Sequence, residues 1–309
     1  MSSKVQSRLQ THCNMAARVA GQPFGGFYKA TLEGPRMSHD NHPQSPAIDS
    51  VVSFFTKIKS VRDNSFPNVK RLWFRGQSKH LSNWHLRPRI FDTSPTIENE
   101  VVQWFMAHAP ARHPLCPTRD DYAGWLTLMR HYGDPTRLFD WSESPLTALY
   151  VAIQESDNQD GIVWILSPNQ LNKTIESRHS PSKQMSFKMS EKGHLFSIAD
   201  DRIVDSYIRS LFGDGHNWNN NLPPAAVYPS QLDLRMVVQQ SMFTIHAGNL
   251  CLEHLQSEIK DYRFLYKVTI LAANKYSIQE ELSDLGFTLA TMYPDLVHLG
   301  KWLDPAFPR

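Results

Sequence analysis

A strand-like run that ends in an arginine and a glycine is the first candidate for chemistry. The segment 69–74 is mostly apolar, and Arg75 and Gly76 follow it directly. A glycine at this point allows a close approach of backbones. An arginine at a strand end can direct its N–H donors into a cleft, where they match phosphate or carboxylate. A surface arginine after an edge strand is the simpler interpretation of this segment taken alone.

The segment HYGDPTRLFDW, residues 131–141, gathers titratable and hydroxyl side chains around one turn. Its Asp134-Pro135 pair predicts a rigid turn. Arg137 and Asp140 are close enough along the chain to pair. They would either fix the loop as a buried ion pair or contact a ligand, and the residues alone leave both interpretations open. The other candidates in this segment are His131, Tyr132 and Thr136.

A third segment, residues 235–244, carries two adjacent amides, Gln239 and Gln240. If the segment is a strand, consecutive side chains point to opposite faces of the sheet. One amide would then face a cleft and the other would face solvent. A polar edge strand without a functional role explains the same pattern.

Composition restricts the class of protein that must position these residues. The chain has 309 residues, 41% of them hydrophobic and 20% charged, with a net charge of +2. These values predict a folded domain with a sizeable core. No run of 18 apolar residues and no signal-peptide core is found, so we expect a cytoplasmic protein without a membrane segment. The three cysteines are odd in number and widely spaced, which fits neither a disulfide framework nor the spacing of a zinc site, and no metal is predicted.

The chain divides into a tail and one domain. Residues 1–44 are rich in turn-forming residues and are predicted to be a partly disordered N-terminal tail. Residues 45–309 are predicted to be a single domain with one core. Helices are predicted to begin at Ser45, Ser94 and Ser144, each followed by proline. Strands are predicted at 69–74, 161–166 and 264–271, while 167–199 is either a flap or holds short elements.

Apolar periodicity assigns faces to the predicted helices. In the first helix, Val51, Val52, Phe55 and Ile58 follow a helical stripe. In the second, Trp104 is assigned to the core, while Glu98 is interpreted as a solvated charge, with an inward orientation as the less favoured alternative. Helices mixed with short strands predict an α+β domain, with a central, mostly antiparallel sheet and flanking helices.

These segments together resemble the FRG domain family. Its members carry FRGQ, then W-x-L-x-P, then a block similar to HYGxPTRLLDWxxSPxxALYxA. The matching stretches here are Phe74–Gln77, Trp84–Pro88 and His131–Ala152. The resemblance covers roughly residues 48–303, and its long central block makes it specific. Two positions depart from the pattern: Ser241 replaces a usual glycine, and Phe139 replaces a usual leucine.

A shorter resemblance, confined to the aromatic-Arg-Gly strand end, is to the arginine-type ADP-ribosyltransferases. It implies a transferase-like fold and an enzyme that consumes NAD as its substrate. The catalytic residues implied are Arg75, Tyr132, Asp140 and Gln240. The residues implied to bind NAD are Arg75, Gly76, Gln77, His131, Thr136 and Arg137.

The expected acceptor of ADP-ribose is a protein, RNA or DNA. A toxin or anti-phage defence effector, held in check by a neutralising antitoxin protein, would fit such an activity. Two alternatives stay open: a nucleotide-sensing module without turnover, and a metal-independent nuclease with His131 and Asp140 as its acid–base pair.

Overall fold

A computed structural model describes residues 48–79, 84–93, 95–133, 135–154, 158–178, 195–212 and 222–304. The predicted tail, residues 1–44, lies outside the described residues. So do Asp134 of the predicted rigid turn and residues 179–194 of the polar stretch.

Within the described residues the chain forms a seven-stranded sheet. Its spatial order is β4-β5-β6-β2-β1-β3-β7, and all neighbours are antiparallel except β4 and β5. The mixed architecture around one mostly antiparallel sheet confirms the predicted α+β class. The strands are β1 Trp73–Gln77, β2 Leu138–Ser142, β3 Gly161–Leu166, β4 Phe196–Ser197, β5 Ala225–Tyr228, β6 Ser241–Ile245 and β7 Leu265–Ile270.

Eleven α-helices flank this sheet in the part of the chain that the structure describes. None of these helices combines the length and the apolar character needed to cross a bilayer. A π-helical turn, Val204–Ile208, and a 3-10 turn, Arg209–Phe212, continue the short helix Asp201–Ile203. The helices are α1 Val51–Ser65, α2 Pro95–His108, α3 Tyr122–His131, α4 Pro145–Ile153, α5 Pro168–Arg178, α6 Asp201–Ile203, α7 Leu234–Val238, α8 Leu252–Glu258, α9 Lys275–Asp284, α10 Leu289–Met292 and α11 Leu296–Leu303.

Alternation along the strands divides the core between the two faces of the sheet. On β1, Phe74 packs into a cluster with α1 and α4, whereas Trp73 joins a cluster on the opposite face. On β2, Leu138 packs with α3 and β5, while Phe139 shares the cluster of Trp73. The face that carries Phe74 and Leu138 therefore holds two separate apolar clusters.

The first helix begins later than its sequence suggests. Ser50 is the N-cap and forms a capping box with Ser53, so α1 starts at Val51 and not near Ser45. Its buried stripe includes Phe54 and Val61, whereas Val52 is 74% exposed. The prediction therefore placed Val52 on the buried side of the helix, where the structure has Phe54. Successive helical positions are only 100° apart, so a stripe shifted to either side gives a plausible period.

Helix α2 exposes a tryptophan and buries a glutamate. Trp104 is 68% exposed and stacks on His108 with ring centroids 4.6 Å apart, while Glu98 is 2% exposed. Both predictions for these side chains were wrong. A buried ion pair with Arg137 explains the position of Glu98, since a charge buried with a partner outweighs the usual preference for solvent.

The segment 235–244 is a helix, a turn and a strand, and not one continuous strand. Helix α7 ends at Val238, the turn holds Gln239 and Gln240, and β6 begins at Ser241. Gln240 has φ of 48°, in the left-handed region that non-glycine residues rarely adopt. The side chains of Gln239 and Gln240 therefore do not alternate as they would in a strand, because the backbone turns sharply at Gln240.

Gly76 permits close packing of β1 against α4. A Cβ atom at this position would lie 2.8 Å from both the Ala152 amide nitrogen and the Val151 Cβ. Backbone cannot yield as a flexible side chain would, so the replacement must displace the helix.

We expect Gly76→Ala to lower the free energy of unfolding by at least about 2 kcal/mol, measured by urea denaturation. Gly300→Ala in α11 is the matched control, since nothing lies within 4 Å of an added Cβ. It should stabilise the chain slightly through helix propensity. Equal effects of the two substitutions would contradict the packing role of Gly76.

Candidate functional site

The sheet opens between its two central strands. β1 pairs with β3 along its whole length, and β2 does so with β6, but β1 and β2 pair only at Phe74 and Ser142. Beyond that point the guanidinium of Arg75 bonds one backbone oxygen of β2 that has no ladder partner on β1. Its Nη1 donates a hydrogen bond of 2.8 Å to the backbone oxygen of Asp140. The opening leaves backbone and charged groups accessible in the middle of the sheet.

A cleft of about 760 Å³ occupies this opening. Its walls come from β1, β2 and β6, from the end of α3, the first turns of α4, helix α7 and the segment between α10 and α11. This volume falls within the usual range of small-molecule sites, about 300–1,000 Å³.

The guanidinium of Arg75 forms part of the cleft wall. It lies 3.9 Å from the ring centroid of Phe139, a cation–π arrangement. Its Nε atom is buried and has no hydrogen-bond partner among the described residues. Burial lowers the pKa of Arg75 to about 10, against the opposing effect of Asp140 and together with the charge of Arg130. Arg75 therefore stays cationic at neutral pH.

Arg130 and Asp140 form the second half of this charged cluster. Arg130 Nε donates to both carboxylate oxygens of Asp140, at 2.9 and 3.0 Å, and its Nη2 also donates to Oδ2. Arg75 Nη1 lies 3.7 Å from the same Oδ2. Burial by itself would raise the pKa of Asp140, but the two guanidiniums hold it below its ordinary value. The cluster carries a net charge of +1.

His131 and Tyr132 lie at the rim of the cleft, where α3 ends. His131 Nε2 lies 3.4 Å from an oxygen of Asp233, and burial lowers the pKa of this imidazole despite that carboxylate. Tyr132 is 56% exposed, and its hydroxyl is 3.4 Å from Nδ1 of His113. Both side chains can contact a ligand in the cleft.

Two predicted site residues, Thr136 and Arg137, are buried behind the cleft wall. Arg137 is 1% exposed and donates to both carboxylate oxygens of Glu98, at 3.0 and 2.9 Å. The Thr136 hydroxyl accepts a 3.3 Å bond from the Leu138 amide. The pairing considered for Arg137 and Asp140 does not form, because each has another partner. Neither Thr136 nor Arg137 lines the cleft.

The remaining predicted residues divide between the cleft and its surroundings. Gly76 lines the cleft, whereas the Gln77 amide oxygen accepts a 2.9 Å bond from Trp164 Nε1 outside it. Gln239 lines the cleft and donates a 2.9 Å bond to the Met292 carbonyl. Gln240 lines a neighbouring hollow. The structure thus brings together Arg75, Gly76, His131, Tyr132 and Asp140, and not Gln77, Thr136, Arg137 or Gln240.

Sequence reasoning missed several residues of the cleft. Arg130 stands one position before the HYG segment, so inspection of the flank would have found it. Thr147, in the first turn of α4, lines the cleft with a buried hydroxyl that has no partner among the described residues. Arg235 lies 4.6 Å over the ring of Tyr293. Arg235 opens the third segment considered in the sequence, but nothing there indicates its contact with Tyr293, which lies 58 positions away.

The arrangement suits an anionic ligand with an aromatic part. Arg75, Arg130 and Arg235 line the cleft and supply donors for phosphate. Across the ranges described above, no set of three or more metal-ligating side chains converges.

Residues 70–161 match the FRG domain. This match includes the three stretches that carry the sequence resemblance, and it confirms the predicted family relationship for that part of the chain. Comparison with curated proteins and with solved structures finds no match.

We expect Glu98→Gln to lower the free energy of unfolding by about 3–5 kcal/mol, because it leaves the buried Arg137 guanidinium without a counter-charge. Glu100→Gln, two positions away on the exposed side of α2, should change stability by less than about 0.5 kcal/mol. Chemical denaturation of both variants measures the difference. A small effect of Glu98→Gln would mean that the pair contributes little to folding.

Proposed function

We propose that this chain is an NAD-consuming, ADP-ribosyltransferase-like enzyme whose cleft between β1 and β2 binds NAD as a substrate. The observation that carries the proposal is the Arg75 guanidinium, which lines the cleft beside Arg130 on a side chain that is 23% exposed. A phosphate that reaches this guanidinium would gain a charge-assisted hydrogen bond of about 1.5–3 kcal/mol.

The pyrophosphate of NAD is the natural partner of this part of the cleft. Arg75 and Arg130 together exceed the charge of Asp140 by one, so a diphosphate placed beside them gains a charge-assisted interaction. Arg235 adds a further cation to the lining of the cleft. The first turn of α4 also lines the cleft, and the dipole of this helix favours negative charge near its start.

The nicotinamide end requires an aromatic surface and a nearby polar group. Tyr132 and Tyr293 both line the cleft and offer such a surface. Cleavage of the bond between nicotinamide and ribose creates positive charge on the ribose, as in glycoside hydrolysis. Asp140 is held ionised, so it can stabilise that charge if the ribose lies beside it. Gln240 was among the catalytic residues implied by the resemblance, but Gln239 is the amide that lines the cleft.

Binding without turnover is the second candidate, and one observation favours it. Asp140 is bonded by Arg130 and lies near Arg75, so much of its negative charge is already neutralised. A neutralised carboxylate stabilises a cationic transition state weakly. The nuclease alternative receives less support, because His131 approaches Asp233 and Asp140 pairs with arginines.

Replacement of Arg75 tests the binding site. We expect Arg75→Ala to weaken NAD binding by about 10- to 100-fold in calorimetry, which corresponds to the loss of a charged hydrogen bond of about 1.5–3 kcal/mol. Arg263→Ala is the matched control, since this exposed arginine lies outside the cleft. If folded wild-type protein binds no NAD, the proposal fails.

Replacement of Asp140 separates turnover from binding. For an enzyme, we expect Asp140→Asn to retain NAD binding or strengthen it, because two cations lose their counter-charge. Nicotinamide release from labelled NAD should fall by about 10²–10³-fold, whereas Asp261→Asn on an exposed loop should leave it unchanged. Binding with no nicotinamide release, even from wild type with cell lysate as the acceptor source, would favour the sensing module.

A further inference from the structure

A second hollow of about 580 Å³ lies beside the cleft, and four cations line it. We propose that this hollow, the basic groove, binds the phosphate backbone of a single-stranded nucleic acid. The inference rests on the proposed function, and it makes the nucleic acid bound in this groove the acceptor of ADP-ribose. The basic groove consists of Phe55, Ile58, Lys59, Arg62, Lys70, Arg71, Leu72, Phe74, Glu143, Pro145 and Gln240.

Two elements supply the cations. Phe55, Lys59 and Arg62 stand at i, i+4 and i+7 of α1, so the helix presents them along one side. Lys70 and Arg71 come from the segment that leads into β1, and all four cationic side chains are exposed. The positive charge therefore comes from two elements together, helix α1 and the segment that leads into β1.

The charge of the basic groove is largely uncompensated. Its lining holds one carboxylate, Glu143, which lies 3.8 Å from Arg71 Nη1. Within the described part of the chain, no carboxylate pairs with Lys59, Arg62 or Lys70. The whole chain carries only +2, so a local excess of three positive charges marks this surface.

The groove also offers groups that suit nucleic-acid bases. The Phe55 ring is 43% exposed between the cations, and exposed aromatic rings in basic grooves stack bases regardless of sequence. The Gln240 amide lines the same hollow and can bond a base edge. An acidic protein segment would bind the cations but would not need the aromatic ring. The combination of cations with an exposed ring therefore favours a single-stranded nucleic acid.

The basic groove and the cleft are adjacent. Phe74 lines both, and the consecutive Gln239 and Gln240 line one each. The turn between them is held by a 3.0 Å bond from the Glu143 amide to the Gln240 carbonyl and by a 3.1 Å bond from Gln240 to Val237. A single-stranded nucleic acid in the groove would therefore reach the mouth of the cleft. There a nitrogen or oxygen of the nucleic acid would bond to C1′ of the ribose and lose its proton, as the bond between C1′ and nicotinamide breaks and nicotinamide leaves.

Fluorescence anisotropy with labelled single-stranded RNA and DNA oligonucleotides tests the groove. We expect the double variant Lys59→Ala/Lys70→Ala to bind about tenfold more weakly at physiological salt. The negative slope of log affinity against log salt concentration should become shallower by about 1.4, since each lost phosphate contact contributes about 0.7 for a single-stranded nucleic acid. The control, Lys260→Ala/Lys301→Ala, removes the same charge from positions outside both hollows and should bind like wild type.

Other outcomes would overturn the proposal. It fails if wild type does not bind oligonucleotides, if both double variants weaken equally, or if poly-glutamate binds as tightly with the same dependence on Lys59. NAD binding measured in the same variants keeps the two proposals distinct, because neither lysine lines the cleft. Oligonucleotide binding without NAD turnover would refute the proposed function and the acceptor role that rests on it, while nucleic-acid binding by the groove would stand. Labelled ADP-ribose appearing on the oligonucleotide, and lost in the Lys59→Ala/Lys70→Ala variant, would support both.

Discussion

The carboxylate of Asp140 between the guanidiniums of Arg75 and Arg130 is the interaction on which the site depends. Strands β1 and β2 separate after one paired position, and Arg75 then bonds the Asp140 backbone oxygen in place of a ladder partner. An open sheet interior normally leaves unpaired backbone groups at a cost. Here charged side chains meet part of that requirement, and the same opening provides a ligand cleft in the centre of the sheet.

Two arginine–carboxylate pairs in this region have different consequences. Glu98 and Arg137 are each no more than 2% exposed and tie α2 to the start of β2. Asp140 is 41% exposed at its side chain, and Arg75 is 23% exposed, so solvent or a ligand can reach them. The first pair is buried and satisfied within the protein, whereas the second keeps unused hydrogen-bonding capacity. Burial, and not residue type, separates the structural pair from the candidate binding pair.

Prediction from the sequence agrees best with the structure where one local pattern determines the fold. The apolar run 161–166 is the fully buried β3, and Ser144 with Pro145 begins α4 as its capping pattern predicts. The pattern misleads at Glu98, because the environment of this carboxylate depends on Arg137, which lies 39 positions away. It misleads again at Gln239 and Gln240, where a left-handed turn takes the place of the predicted alternation.

The sequence by itself determined the class of fold, the family resemblance and a short set of chemically competent residues, since these follow from local periodicity and from contiguous motifs. Arg75, His131, Tyr132 and Asp140 were all found in this way, and the structure brings them to one cleft. Only the tertiary structure decided that Arg130 completes the cluster, that Arg137 is buried with Glu98, and that Gln240 faces a separate basic groove. Such choices depend on which long-range partner satisfies each charge, and distance along the chain carries no information about that partner.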